Sequence, residues 1–312
     1  MTGRLRLRLP PWIFLLALGA VIAALLFSLD WYRRRLVRSN ADLVHLLPSH
    51  DTTLFFANFA ILRQAGMMRL LTGAKPAEEK DYAEFVRQTR FDYARDIDAL
   101  AAAIDHGQMF FAVRGRFDWD KLQSYVTARG GKCPNDEFCS VETSKPERWV
   151  SLRPVQPDVI ALAVGSGRSG AQLVGAPEHR SEQPIPSAPV WLEVSQALLK
   201  NPADIPMPLR IFAITLQSAA PVIISLSPAD ANSPAAFQIR LDAACPNSVT
   251  ADTIRNQLDL QTKLLKLELA REREQPNPAD LTGLLTSGSF QVVNRHVIGK
   301  WPVRNELLKT LQ

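Results

Sequence analysis

Histidine and cysteine are scarce in these 312 residues, five of the one and three of the other. The histidines stand at 45, 50, 106, 179 and 296, and none falls in H-E-x-x-H or at another ligand spacing on a helix. His45, His50 and His106 fall in or beside predicted loops and read as solvated residues, not as ligands or bases. Two cysteines without a nearby His or a second pair do not complete a zinc site. The sequence therefore assigns no catalytic residue, no cofactor and no metal ligand.

Basic charge is also lacking where a nucleic-acid interface would need it. The net charge is +5, but residues 1–40 hold seven Arg and one Asp, which is +6, and the remaining chain carries −1. Nothing basic is left for a phosphate-binding face, so nucleic acid is excluded as a partner. Gly165-Ser166-Gly167-Arg168-Ser169-Gly170 spells G-x-G-x-x-G after a predicted strand. Only Ala171 to Gly175 remains for a helix before Pro177, and Glu182 lies in a proline-rich stretch, so a glycine-rich turn is the reading. The same stretch fails G-x-S-x-G, because Ala171 stands where the last Gly must be. Asp118 with Asp120 and Glu78 with Glu79 are acids at helix N-termini, where the macrodipole favours them. Trp149, Trp191 and Trp301 fall in or beside strands and read as packing residues.

What is present is a charge-free run from Trp12 to Leu29, WIFLLALGAVIAALLFSL. At about 1.5 Å per residue it spans roughly 27 Å as a helix, close to the hydrocarbon thickness of a bilayer. Trp12 on one side and Trp31 with Tyr32 on the other would sit at the two interfaces, with Arg33, Arg34 and Arg35 among the headgroups. The run is longer than the apolar core of a signal peptide and leads into no small-x-small cleavage site. The expectation is a single-pass anchor, with the membrane as partner through this helix.

The arginine counts on the two flanks are nearly even and leave orientation open. Cys133 and Cys139 bear on it, because Pro134, Asn135 and Asp136 between them favour a turn that brings the sulfurs together. A bridge there implies an oxidising compartment, hence a domain outside the cytoplasm; two reduced thiols are the alternative. Cys245 makes the count odd and leaves three pairings open.

The organisation expected along the chain is a basic segment 1–11, the anchor 12–29, a stalk 30–49, an α+β module 50–175, a proline-rich linker 176–188 and a second α+β module 189–312. In the first module, strands are expected at 53–57, 97–104, 109–117, 149–155 and 158–164, with helices at 60–64, 76–90 and 119–129. In the second, strands are expected at 190–194, 211–216, 222–226, 237–243, 290–293 and 297–303. Helices are expected at 196–200, 250–274 and 305–311. In helix 250–274, Ile254, Leu258, Leu265 and Leu269 form an apolar side that Leu260, Leu264 and Leu267 widen. The repeated order of signals reads as a diverged tandem duplication: two related antiparallel-rich sheets covered by helices.

LLPSHDTTLFFANFAILRQAG, YAEFVRQTRFDYARDIDALAAAI, MFFAVRGRFDWDKLQSYV and RWVSLRPVQPDVIALAVG together resemble uncharacterised bacterial membrane-anchored extracytoplasmic proteins. The shared pattern is a leucine-proline opening followed by a strand and a short helix, then Gly-x-Phe-Asp before a helix. It covers residues 44–165. It implies an extracytoplasmic mixed α and β domain and transfers no catalytic residue. Three function classes follow: a binding or scaffold module with an envelope protein partner, an envelope enzyme with an unrecognised site, and a carrier of an apolar ligand. The first is preferred, because the chain has an anchor and a large core without an assembled catalytic motif.

Overall fold

Twelve strands hydrogen-bond into one antiparallel sheet, in the order β11-β12-β10-β9-β8-β1-β2-β3-β7-β6-β5-β4. The computed structural model describes residues 37, 39–48, 51–68, 80–105, 107–135, 137–176, 185–205, 207–229, 235, 237–304 and 306–307. The anchor 12–29 and its flanking Trp12, Trp31, Tyr32, Arg33, Arg34 and Arg35 lie outside them, as does most of the expected closing helix 305–311. Among the described residues no helix is long and apolar enough to cross a membrane. By chain contacts Met1–Arg38 is one unit and Ser39–Gln312 the other, and only the second is described below.

The strands are β1 Thr53–Asn58, β2 Ile97–Asp105, β3 Gln108–Gly115, β4 Lys132–Asn135, β5 Phe138–Glu142, β6 Trp149–Gln156, β7 Val159–Gly165, β8 Val190–Val194, β9 Val222–Pro228, β10 Phe237–Ala244, β11 Ser289–Val293 and β12 His296–Val303. The helices are α1 Asn40–Val44, α2 Phe59–Gln64, α3 Lys80–Thr89, α4 Tyr93–Asp96, α5 Trp119–Ala128, α6 Gln196–Lys200, α7 Met207–Thr215, α8 Ser248–Arg271 and α9 Leu281–Thr286. Several begin on side-chain caps that satisfy otherwise orphaned backbone donors. Asn58 accepts from the Ile61 amide, Asp118 from Lys121, Asn247 from Thr250, and Asp280 from Thr282 and Gly283. The Asp118 cap was expected from the sequence and opens the expected helix.

The two expected modules are halves of one sheet. β1 and β8 pair antiparallel at its centre, Leu54 with Glu193, Phe55 with Leu192, Phe56 with Trp191 and Ala57 with Val190. Outward from that seam the order is β1-β2-β3-β7-β6 on one side and β8-β9-β10-β12-β11 on the other. Each half runs as a strand, a short helix, a hairpin, a longer helix and a final hairpin whose second strand lies inside its first. The first half adds the β4–β5 hairpin at its edge.

Pairing register assigns the side chains to faces, because residues directly opposite share one. Phe55, Ala102, Phe111, Leu162 and Leu152 line up on one face, and Leu192, Ile224, Leu241 and Gly299 continue it across the seam. Helices cover this face: α5 buries Leu122 and Val126 with Cys139, Leu152 and Ile160, and α8 buries Ala251, Ile254 and Leu258 with Leu241, Ala243 and Val297. On the opposite face of the first half, Ala101, Ala112 and Ala161 stand in one row, all fully buried. With only methyl groups there, the chain around α1 rests closely on β2 and β3, where Leu43 and Leu47 are fully buried. The same row crosses the seam through Phe56 and Trp191 to Ser225, Arg240 and Lys300, so it turns polar in the second half.

Three segments depart from expectation. Residues 211–216, read as a strand, lie in and just beyond helix α7, which Met207-Pro208 opens. Proline in a first helical turn gives up no needed hydrogen bond, and the apolar run Ile211-Phe212-Ala213-Ile214 satisfies either period. The cysteine loop is the hairpin β4–β5. Residues 281–286, not assigned to an element, form α9 on its Asp280 cap.

Candidate functional site

Cys133 and Cys139 are joined in a disulfide across the β4–β5 hairpin, with Cα atoms 4.1 Å apart. Cys139 is fully buried in the α5 core, so the bridge ties the edge hairpin to the packed interior. Cys245 is free and buried, and burial pushes its thiol pKa up, which makes it a packing residue and not a nucleophile. The glycine-rich stretch 165–170 leaves β7 and enters the 3-10 turn Gly170–Leu173 without opening an α-helix. Ser151 accepts from the Ala171 amide, and the half-buried Arg153 donates to the Ala171 and Val174 carbonyls, so this turn is held as structure.

The three singled-out tryptophans are also accounted for by packing. Trp191 stacks on Phe56 with ring centroids 5.9 Å apart, Trp301 meets Phe290 edge-on at 5.3 Å, and Arg168 lies 4.1 Å over the Trp149 ring. His296 pairs its Nδ1 with Asp242 at 2.6 Å on the polar side of the sheet. His45 follows α1 directly and is not the solvated residue expected, since its Nδ1 is buried without a hydrogen-bond partner among the described residues, between the buried Val44 and Leu46. His50, His106 and His179 lie outside the described residues, as do Glu78 and Glu79. Among the described residues no three His, Cys, Asp or Glu converge.

The feature with the character of a site lies on the outer side of the second half, between helices. α8 presents its expected core stripe inward, with Ile254 and Leu258 almost fully buried. The flanking leucines do not widen that core: Leu260, Leu264 and Leu267 are 55%, 52% and 65% exposed. At a spacing of four and three residues they form a second apolar stripe. On α7, Ile211 and Ile214 are also more than half exposed. Ile211 and Phe212 of α7, Gln261, Leu264, Leu265, Leu267, Glu268 and Arg271 of α8, and Leu285 of α9 enclose a groove of about 580 Å³. Every lining residue belongs to a helix. The groove therefore lies between helices and not between helix and sheet.

Gln261 ties the groove's two walls together. Its Nε2 donates to Thr215 Oγ1 at 2.6 Å and to the Ile211 carbonyl at 3.4 Å. The Thr215 hydroxyl in turn donates to the Ile211 carbonyl at 3.0 Å, so its oxygen is left as an acceptor and the Gln261 amide must present its N–H group there. The amide oxygen is then buried with no hydrogen-bond partner. Leaving such an acceptor unpaired costs about 1–3 kcal/mol. In the groove's lining, Arg271 pairs with Glu268 at 3.8 Å. Sequence reasoning missed this groove because it needs α7 to be a helix. The available signal was the leucine stripe 260-264-267, offset around the helix from the 254-258-265-269 stripe.

No family model matches the chain, and no curated protein matches it. Among solved structures it is similar to TP0453. Crystal form I superposes at a TM-score of 0.47 with 11% identity, covering 88% of this chain and 98% of that one. Crystal form III superposes at 0.44 with 10% identity, covering 86% and 96%. A likeness of that degree settles neither fold nor function.

Proposed function

We propose that the chain is a membrane-anchored envelope protein that acts as a binding module, holding a macromolecular partner in the α7–α8 groove. The observation that carries this reading is the exposed apolar groove itself. Large side chains left in water on two adjacent helices are a cost that a bound partner removes. The groove opens outward between helices, which suits docking better than enclosure of a small apolar cargo. An anchor at residues 12–29 would raise the local concentration of a bound partner at the membrane. The Cys133–Cys139 bridge supports a domain outside the cytoplasm, since such bonds persist in oxidising compartments. The matching strand order of the two halves supports their descent from one duplicated module.

The test is site-specific photocrosslinking in cell membranes with the full chain. A benzophenone side chain at Leu267 is expected to give a discrete adduct that Leu264→Gln removes. The same probe at Arg240, on the polar side of the sheet, is expected to give none. Equal labelling from both positions, or none from Leu267, overturns the reading. A phosphatase fusion after residue 312, active only outside the cytoplasm, tests the topology: an inactive fusion overturns it.

A further inference from the structure

We infer that the open edge of β11 is a dimerisation site, where a second copy of this chain adds its own β11 antiparallel about a twofold axis at Gln291. The inference does not depend on the groove reading above. The sheet ends in two edge strands, and the two are built differently. β4 carries features that keep an edge from pairing: the charge of Lys132, Pro134 without an N–H, and a break in register between Lys132 and Asn135. β11 has the sequence Ser-Phe-Gln-Val-Val, with no charge, no proline and an unbroken register of five pairs with β12. An edge of that kind is a template for another strand.

The ladder fixes which backbone groups of β11 are open. The Cys245 amide donates to the Arg295 carbonyl, so the odd-numbered residues of β12 turn toward β10 and the even-numbered ones toward β11. His296, Ile298 and Lys300 therefore bond Val293, Gln291 and Ser289. Phe290 and Val292 aim their N–H and C=O groups outward, where they meet no partner among the described residues.

A second β11 matches this pattern. With Gln291 opposite Gln291 of the second copy, Phe290 stands opposite the second Val292 and exchanges both hydrogen bonds with it, and Val292 does the same with the second Phe290. Phe290 and Val292 pack at the margin of the α8 core, so the pairing extends that core with an aromatic and a β-branched neighbour. On the other face the exposed Ser289 meets the equally exposed Val293 of the second copy, and no charged residue enters the seam. In that row Lys300 and the second His296 stand three strand spacings apart, roughly 14 Å. Symmetry also closes the assembly. Self-pairing consumes the unguarded edge of each chain, whereas β11 on β4 would run head to tail into a filament, which Lys132 and Pro134 oppose. A strand from another protein has no need of this palindromic match.

The experiment uses the full chain in cell membranes, with cysteine probes oxidised by copper phenanthroline and read on non-reducing gels. Directly opposed residues that share no hydrogen bonds have Cα atoms about 4.5 Å apart, within disulfide reach. Gln291→Cys is expected to give at least tenfold more disulfide-linked dimer than Ser289→Cys, whose two probes would stand roughly 14 Å apart along the seam. Ser289→Cys with Val293→Cys in one chain is expected to restore the dimer. In that background Val292→Pro deletes an N–H that faces outward and spares the β12 ladder, and is expected to cut the dimer at least tenfold. Since that proline also removes a packed side chain, the exposed Gln291 supplies a second test. Gln291→Lys and Gln291→Glu each set like charges opposite one another and are expected to lose the dimer alone and to regain it when coexpressed. Equal yields from Gln291→Cys and Ser289→Cys, no dimer from either Gln291→Cys or the double probe, or a dimer that the charged variants leave unchanged overturns the inference. So does an adduct of Gln291→Cys with a different protein in place of the dimer, which would give the edge to a foreign strand.

Discussion

Single residues at the outer end of β2 show how much of the fold is held by a few close contacts. Asp96 is nearly buried at the end of α4 and accepts from Arg95, from the Asp92 amide and from Arg116, whose donors lie within about 3.3 Å. Those hydrogen bonds, led by Arg95, hold its pKa at about 2. A carboxylate held lower in the folded chain than in the unfolded one stabilises the fold above its unfolded pKa near 4, and that contribution is lost as pH falls toward 2. Both arginines are about two-thirds exposed, so solvent screening limits the effect to about 1–2 kcal/mol. Asp96→Asn is expected to lower stability by that amount at pH 7, and urea titrations at pH 7 and at pH 2.5 should show the gap between variant and parent shrinking in acid. A gap that stays constant would mean the carboxylate acts by shape and not by charge. Gly115 belongs to the same corner. A Cβ there would stand 2.2 Å from the Asp96 carbonyl oxygen, a backbone atom that cannot swing away. Gly115→Ala is therefore expected to cost about 1–3 kcal/mol, read as a shift of the urea midpoint. Across the sheet, cutting the Cys133–Cys139 bridge by Cys133→Ser with Cys139→Ser frees a small loop and should cost about 2 kcal/mol. The measurement is the same midpoint, and a reductant should no longer affect the variant.

At the scale of elements, the sequence was legible wherever one period prevailed. The strands β1, β2, β7, β9, β10 and β12 alternate or run apolar between turns, and α5 and α8 carry caps and apolar stripes, so each was found near its bounds. The cysteine spacing likewise read as a closable turn, though the short strands around it did not. α7 was the consequential failure: a nine-residue apolar segment serves a helix or a strand equally, and here packing on α8 through Thr215 and Gln261 decides for the helix. The groove was illegible for that reason, and also because leucines on three sides of α8 cannot reveal from order alone which side meets water. Substitution separates them. Leu258→Ala removes a fully buried side chain and is expected to cost 2–5 kcal/mol, whereas Leu264→Gln on the exposed stripe should stay within about 0.5 kcal/mol. Chemical denaturation of both variants checks the contrast, and a large loss at Leu264 would place it in the core.

For the whole molecule the question is whether two halves joined by one strand pair fold as one. The seam is short: four residue pairs between β1 and β8, with Phe56 and Trp191 stacked at its centre and both almost fully buried. It is reinforced from one side by α2, which begins where β1 ends. Leu62 of α2 packs with Ala57 of the first half and with Phe237 and Val303 of the second, so a helix from one half closes the core of the other. Thr53 and Ser195 add a second crossing, the Thr53 hydroxyl donating to Ser195 Oγ at 3.1 Å and the Ser195 amide donating to Thr53 Oγ1 at 3.2 Å. A core shared in this way couples the halves, because neither can unfold without exposing apolar surface of the other. Unfolding is therefore expected to be a single transition, coincident by tryptophan fluorescence and by far-ultraviolet circular dichroism. Trp191→Ala opens a cavity at the seam where the indole nitrogen makes no hydrogen bond, so its cost of about 3–5 kcal/mol should come from lost packing alone. The informative reading is hydrogen exchange in that variant. If the halves share one cooperative core, amides in β3 and in β10 should lose protection by the same amount, although they lie on opposite sides of the seam. Loss confined to β10 would mean that the first half stands alone and folds independently of the second.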